Sequence, residues 1–141
     1  MKQKFSKSWI SSKQPRKQRK YTYNAPISIK RVFLSCGLSK ALKNIYHKRS
    51  IKLRTGDRVK VLRGEYAGKT GEIIKISLKN TKVYIDGIIT KKSTGTEVQV
   101  PLHPSNLQIT ELNLKDVKRE KTIKRAISAP AVKKVKSDKK E

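Results

Sequence analysis

Cysteine is nearly absent from this chain. The single Cys36 excludes an intrachain disulfide and a cysteine-based zinc site, and it fits a reducing compartment. Beside a helix end it reads as a small apolar filler rather than a nucleophile. Histidine is as scarce. His47 has no His, Asp or Glu near it in sequence, so neither a metal nor another cofactor is expected. No apolar run approaches the roughly 20 residues of a membrane span. No basic amphipathic helix with a Trp, Leu or Phe face is present either. The lone apolar pair Trp9-Ile10 makes no signal-peptide core. Carboxylates are few, and Asp57, Glu65, Glu72, Asp86 and Glu97 are scattered among turns and strands. A two-metal nuclease needs them clustered. Two His and one Cys assemble no nucleophile, base and orienting group. Neither an enzyme nor a small-molecule substrate is expected.

Positive charge is what the chain has in excess. Lys and Arg number 36 against 10 Asp and Glu, a formal net charge of +26. Such a chain repels itself in water and calls for a densely anionic partner. Nucleic acid fits, because each neutralised phosphate releases condensed counterions. Only 35% of the 141 residues are apolar, which suits one small core with extended flanks.

The apolar material gathers between Gly56 and Leu112. Val59 and Val61 alternate with Arg58 and Lys60, and Ile74, Ile76 and Leu78 share a face after a loop with Gly64, Gly68 and Gly71. Period-two alternation joined by glycine-rich turns predicts antiparallel strands. Strands are expected over 58–62, up to 78, and over 82–85 and 88–91. Val98, Val100 and Leu102 mark a fifth on one face, and Leu107 and Ile109 a last short one. Asn80 and Asp86-Gly87 supply the turns. Five or six short strands with tight turns point to a small, strongly bent barrel. Asp57, ahead of the first strand, is expected to make a local backbone hydrogen bond.

The flanks differ. Residues 1–23 read as a basic arm, disordered in isolation. Lys13, Arg16, Lys17, Arg19 and Lys20 are interleaved there with Trp9, Tyr21 and Tyr23. Such a mixture suits RNA, whose bases stack on rings and on guanidinium planes; a plain solubilising tail is the alternative. Residues 24–54 read as a short helical segment. Pro26 opens one helix carrying Ile29, Val32 and Phe33, with Gly37 as its C-terminal cap. Ser39 caps a second through Tyr46. Lys30, Arg31, Lys40, Lys43, Lys48, Arg49, Lys52 and Arg54 line this region. Residues 113–141 read as a basic extension. Leu114, Val117 and Ile123 support a turn or two of helix, stopped at Ala129-Pro130-Ala131 before a lysine-rich tail.

The segment Asp57-Arg58-Val59-Lys60-Val61-Leu62-Arg63-Gly64-Glu65-Tyr66-Ala67-Gly68-Lys69-Thr70-Gly71 resembles a KOW motif. Transcription elongation factors share that motif. Three further segments narrow it: Tyr23-Asn24-Ala25-Pro26, Leu38-Ser39-Lys40 with Arg49-Ser50, and Gly95 through His103-Pro104-Ser105-Asn106-Leu107. Together, over roughly Arg19 to Lys121, they are similar to the KOW family of large-subunit ribosomal proteins in its archaeal and eukaryotic form (universal twenty-four, eukaryotic twenty-six). The sequence departs from the family at Ala67, where a basic residue is usual.

The resemblance implies a mainly β fold: a small SH3-like barrel (KOW domain, 55–112) with short N-terminal helices and extended basic N- and C-terminal tails. It implies a structural constituent of the large subunit that binds rRNA near the peptide exit tunnel and supports early assembly. Large-subunit rRNA and neighbouring ribosomal proteins would be its partners. Its place would be the cytoplasmic ribosome, with nucleolar assembly in a eukaryote. RNA contact falls to the arm cations, to Tyr21 and Tyr23, to Lys30, Arg31, Lys40, Lys43, Lys48, Arg49 and Arg54, and to Arg63, Gly64, Tyr66, Gly68 and Lys69 in the loop. Glycine backbone N–H groups left open at Gly68 and Gly71 would suit a phosphate, although both residues can serve the turn alone. His103-Pro104 reads as a strand-end turn. A KOW-type transcription module binding RNA is the alternative.

Overall fold

Strand β3 (Arg58–Val61) is seated by Val59 and Val61, whose side chains are buried while Arg58 and Lys60 face water. The structure, a computed structural model, describes residues 5–6, 8–9 and 12–128. On one side β3 pairs antiparallel with β4 (Thr70–Ser77), and on the other with the last strand, here β8 (Leu107–Glu111). Strand β1 (Ser35–Leu38) runs parallel to β8 and carries β2 (Ser50–Lys52) on its outer edge. Strand β5 (Lys82–Ile85) closes the order β2-β1-β8-β3-β4-β5. This six-stranded sheet is open, not closed. A separate hairpin pairs β6 (Ile89–Lys91) with β7 (Glu97–Gln99). Beyond it, Leu102 folds back to bridge Val83. The protein is therefore a small, mainly β domain with helices around it.

The core is aliphatic. Leu38, Ile73, Ile85, Ile88, Leu107 and Ile109 are almost wholly buried, with Val59, Val61 and Val83 between them. Each such side chain contributes about 1.5–3 kcal/mol by leaving water. Gly71 is required by packing: a Cβ there would lie 2.6 Å from the Asp86 carbonyl oxygen and 2.7 Å from Ile85 Cγ2.

Four helices surround the sheet among the described residues: α1 (Pro15–Asn24), α2 (Ile27–Phe33), α3 (Lys40–Tyr46) and α4 (Val117–Ser128). The Ser39 hydroxyl accepts from the Leu42 N–H and caps α3 as expected. Strand β5 falls on the expected residues 82–85. His103 and Pro104 do form a strand-end turn, a single 3-10 turn over Pro104–Asn106.

Several expectations fail for identifiable reasons. Part of the arm is helical rather than disordered, because Lys, Arg and Gln are good helix formers and Pro15 suits the first turn. Gly37 caps no helix. Helix α2 ends at Phe33, and Gly37 lies inside β1, opposite Ser50. Strands β1 and β2 lie in a segment read as helix and linker; β1 alternates in burial, but Gly37 within it reads as a helix cap, and β2 has only three residues. Ile74 does not share the inner face. A register shift between Ile73 and Lys75 inserts a residue, so Ile73 enters the core and Ile74 is exposed. Val98 likewise stays exposed on β7, while Val100 and Leu102 pack on the core. In the 79–81 turn the left-handed residue is Thr81, not Asn80. Helix α4 runs three turns instead of one or two, and Leu114 precedes it. The expected stop at 129–131 and the lysine tail lie outside the described residues.

Candidate nucleic-acid interface

All 10 carboxylates of the chain lie at or after Asp57. Everything before it, from α1 through β2, carries cations with no acidic residue between them. The arm cations Lys13, Arg16, Lys17, Arg19 and Lys20 are exposed on or beside α1. Tyr23 is exposed too. Tyr21 is not: its ring stacks on Trp9 at 4.9 Å and tilts against Phe5 at 4.8 Å and Phe33 at 6.2 Å.

The helical-segment cations gather at three grooves. Arg31, Lys52 and Arg54 rim a cleft of about 380 Å³ floored by Leu34, Leu53, Ile76 and Leu78. Lys43 and Arg49 line a second groove of about 550 Å³ beside Leu62, Ser105 and Gln108. Lys48, Lys52 and Lys118 share a third of about 330 Å³. Lys30 is half-buried on α2 and Lys40 is exposed at the start of α3. Two cations also make contacts within the protein. Arg54 pairs with Asp116, and Lys48 donates to the Thr122 carbonyl at 3.1 Å. The Lys118 N–H, with Arg54 beside it, holds the Asp116 carboxyl below its ordinary range.

The 63–69 loop is tightly wound. Gly64 and Gly68 take positive φ, 95° and 87°. The Gly68 N–H donates to the Val61 carbonyl at 2.8 Å, and the Ala67 N–H to Gly64 at 3.0 Å. Gly71 sits within β4, opposite Val59. The Gly68 N–H is thus already engaged, and what the loop offers a phosphate is its side chains. Arg63 is exposed, and Lys69 lies over the Tyr66 ring, 5.1 Å from its centre. Leu62, next to Arg63, also lines the Lys43–Arg49 groove, so the loop joins the basic end of β3. At the other end of β3 the sign reverses: Glu72, Asp86 and Glu111 surround Arg58.

Two residues of these grooves are not marked as site residues by the sequence alone. Lys52 borders two of the grooves, and Lys118 reaches one only because α4 docks. That docking rests on Arg119. Its two terminal nitrogens clasp both oxygens of the fully buried Asp57 at 2.5 and 2.7 Å. Asp57 also accepts from the Arg54 and Asn113 N–H groups. The local backbone bond expected of Asp57 is present, and the long-range pair is additional. A lone carboxylate beginning a strand, in a chain so poor in acids, is its only trace in sequence.

The residue pattern and the geometry agree with what comparison finds. The family model that describes the ribosomal proteins L26 of eukaryotes and L24 of archaea matches residues 12–126. Among curated proteins, the large ribosomal subunit protein uL24 of Korarchaeum cryptofilum is 47% identical over 116 residues, 82% of this chain and 88% of that one. Its namesake from Methanosarcina barkeri is 47% identical over 114 residues, 81% of this chain and 98% of the relative. That of Methanocorpusculum labreanum is 51% identical over 110 residues, covering 78% and 91%. The ribosomal reading therefore prevails over the transcription-factor one. The chain belongs to the family of eukaryotic L26 and archaeal L24 ribosomal proteins, which is structural and non-enzymatic.

Proposed function

We propose that this member of the family is a structural constituent of the large ribosomal subunit that grips its rRNA chiefly with the acid-free stretch before Asp57. One observation carries the reading: no carboxylate precedes Asp57, so no acidic residue stands among those lysines and arginines, although Arg54 pairs with Asp116 further along the chain. The binding groups are Lys13, Arg16, Lys17, Arg19, Lys20, Tyr21 and Tyr23 of the arm, Lys30 and Arg31 of α2, and Lys40, Lys43, Lys48, Arg49 and Arg54. The loop residues Arg63, Tyr66 and Lys69 complete them, presented by the turn that Gly64 and Gly68 allow. Lys and Arg neutralise phosphates, and the sheet holds a fixed surface on which separate RNA segments pack.

The division of labour is a basic arm (1–23), a segment of short helices that also lends β1 and β2 to the sheet (24–54), a KOW barrel of SH3-like type (55–112) and a basic extension (113–141). The Val83–Leu102 bridge and the register shifts in β3 and β4 support a barrel, since both bend strands toward closure. The place near the peptide exit tunnel and the early role in assembly rest on the resemblance of the four sequence segments. So do the neighbouring ribosomal proteins as partners and the cytoplasmic ribosome as location. A nucleolar stage would apply only to a eukaryotic chain, and the three relatives above are archaeal.

Filter binding of large-subunit rRNA over a salt series tests the proposal. Replacing Arg16, Lys17 and Arg19 by Gln should lower the log–log salt slope by about 0.9 for each duplex phosphate that is no longer neutralised. An unchanged slope would remove the arm from the interface.

A further inference from the structure

The aromatic residues of the arm do a job the core does not need. Helix α1 contributes no buried residue, and Phe5, Trp9, Tyr21 and Phe33 stand outside the aliphatic core. Phe5, Trp9 and Phe33 each meet Tyr21 instead, their ring centres 4.8, 4.9 and 6.2 Å from its own. The cluster leaves a cavity of about 290 Å³ lined by Phe5, Ser6, Trp9, Tyr21 and Asn24, with Lys17 and Lys20 at its rim. That volume is at the low end for a ligand site, roughly 300–1,000 Å³. It suits one planar group rather than a length of chain. Rings supply stacking faces, Ser6 and the Asn24 amide supply polar groups for a base edge, and the lysines supply charge for the adjoining phosphate.

We infer that this cavity receives a single unpaired RNA base, turned out of its stack. The inference rests on the RNA-binding reading above and adds that the arm distinguishes single-stranded from duplex RNA. A base held in a duplex cannot enter, because both of its faces are already stacked.

Trp9 is the only tryptophan of the chain, so its fluorescence reports the cavity directly. The intact protein is titrated with a short oligoadenylate and, separately, with a blunt RNA duplex of equal length. The single strand should quench Trp9 saturably, while the duplex binds without quenching. Tyr21→Leu keeps an apolar contact for Phe33 but removes the ring that seats Phe5 and Trp9 as walls of the cavity. It should weaken single-strand binding roughly tenfold to a hundredfold, as expected for one base–aromatic contact. Duplex affinity should fall by far less than single-strand affinity, and Tyr21→Phe should bind both like the original. Equal quenching by the two RNAs, or an equal weakening of both in Tyr21→Leu, would overturn the base site while leaving RNA binding intact. Binding of neither RNA would overturn the RNA-binding reading itself, and the base site with it.

Discussion

Replacing Arg119 by Met should unfasten α4 from the domain. The guanidinium is 3% exposed and the Asp57 carboxylate 0%. Besides its two bonds to Asp57, the guanidinium donates to the Asn113 carbonyl at 2.9 Å and the Lys52 carbonyl at 3.2 Å. Its Nε, buried, has no partner. Methionine fills much of the same volume, so lost packing is a small part of the effect. What remains is a buried carboxylate held by two backbone N–H groups alone. Removing one partner of a buried ion pair costs ~3–5 kcal/mol. For a domain of this size, at about 4 °C per kcal/mol, the midpoint of thermal unfolding should fall by roughly 12–20 °C. Thermal melting by circular dichroism, backed by urea titration, reads the drop. Hydrogen exchange should show α4 losing protection first. Pairing the change with Asp57→Asn should recover part of the stability, because the uncompensated charge goes and the amide oxygen still accepts from the backbone. Asp57→Asn/Arg119→Met melting no higher than Arg119→Met would contradict this account. So would an unchanged midpoint for Arg119→Met alone.

Other outcomes follow from the same packing. Gly71→Ala should destabilise by about 1–3 kcal/mol, since its new methyl meets the Asp86 carbonyl and Ile85; a change below ~0.5 kcal/mol in urea titration would refute the clash. Burial pushes the Cys36 thiol up to about 12, and its Sγ donates to the Leu107 carbonyl at 2.9 Å. Thiol reagents at neutral pH should therefore label it only as the domain unfolds, and prompt labelling of the native protein would count against its burial. Burial, aided by Lys82, lowers the His103 pKa from 6.5. The unfolded chain then takes up the proton first as pH falls, so this contribution is complete above 6.5 and is lost as pH drops through the folded value. His103→Gln should flatten that part of the stability–pH curve, and an identical curve would remove His103 as its source.

Legibility in the sequence tracks how local each cause is. The β5 strand, the Ser39 cap and the His103 turn depend on neighbouring residues, and all three are readable. Ile73 and Ile74 are exchanged because both are apolar, and a bulge is a choice made between strands. Strands β1 and β2 are held by partners far along the chain, Ile109 for Leu38 and Ile51 for Cys36. Unlike β5, neither is flanked by a tight turn leading to its partner, so nothing local advertises such pairing. The same limit hides Lys118, which reaches one basic groove through a contact between positions 57 and 119. Charge is the better guide to the interface, because Lys, Arg and the missing carboxylates are countable without a fold. The cavity between Phe5, Trp9 and Tyr21 is half visible: the sequence shows rings among the cations, but not that a helix brings them together.

The central claim is that the acid-free end of the domain faces RNA and the Glu72–Asp86–Glu111 end does not. Hydrogen exchange of the intact protein, with and without large-subunit rRNA, reads both ends at once. Slowed exchange in α1 through β2 and in the 63–69 loop, with β4 and β5 around Glu72 and Asp86 unaltered, is the predicted result. Protection confined to the acidic end, with α1 to β2 unaffected, would contradict it.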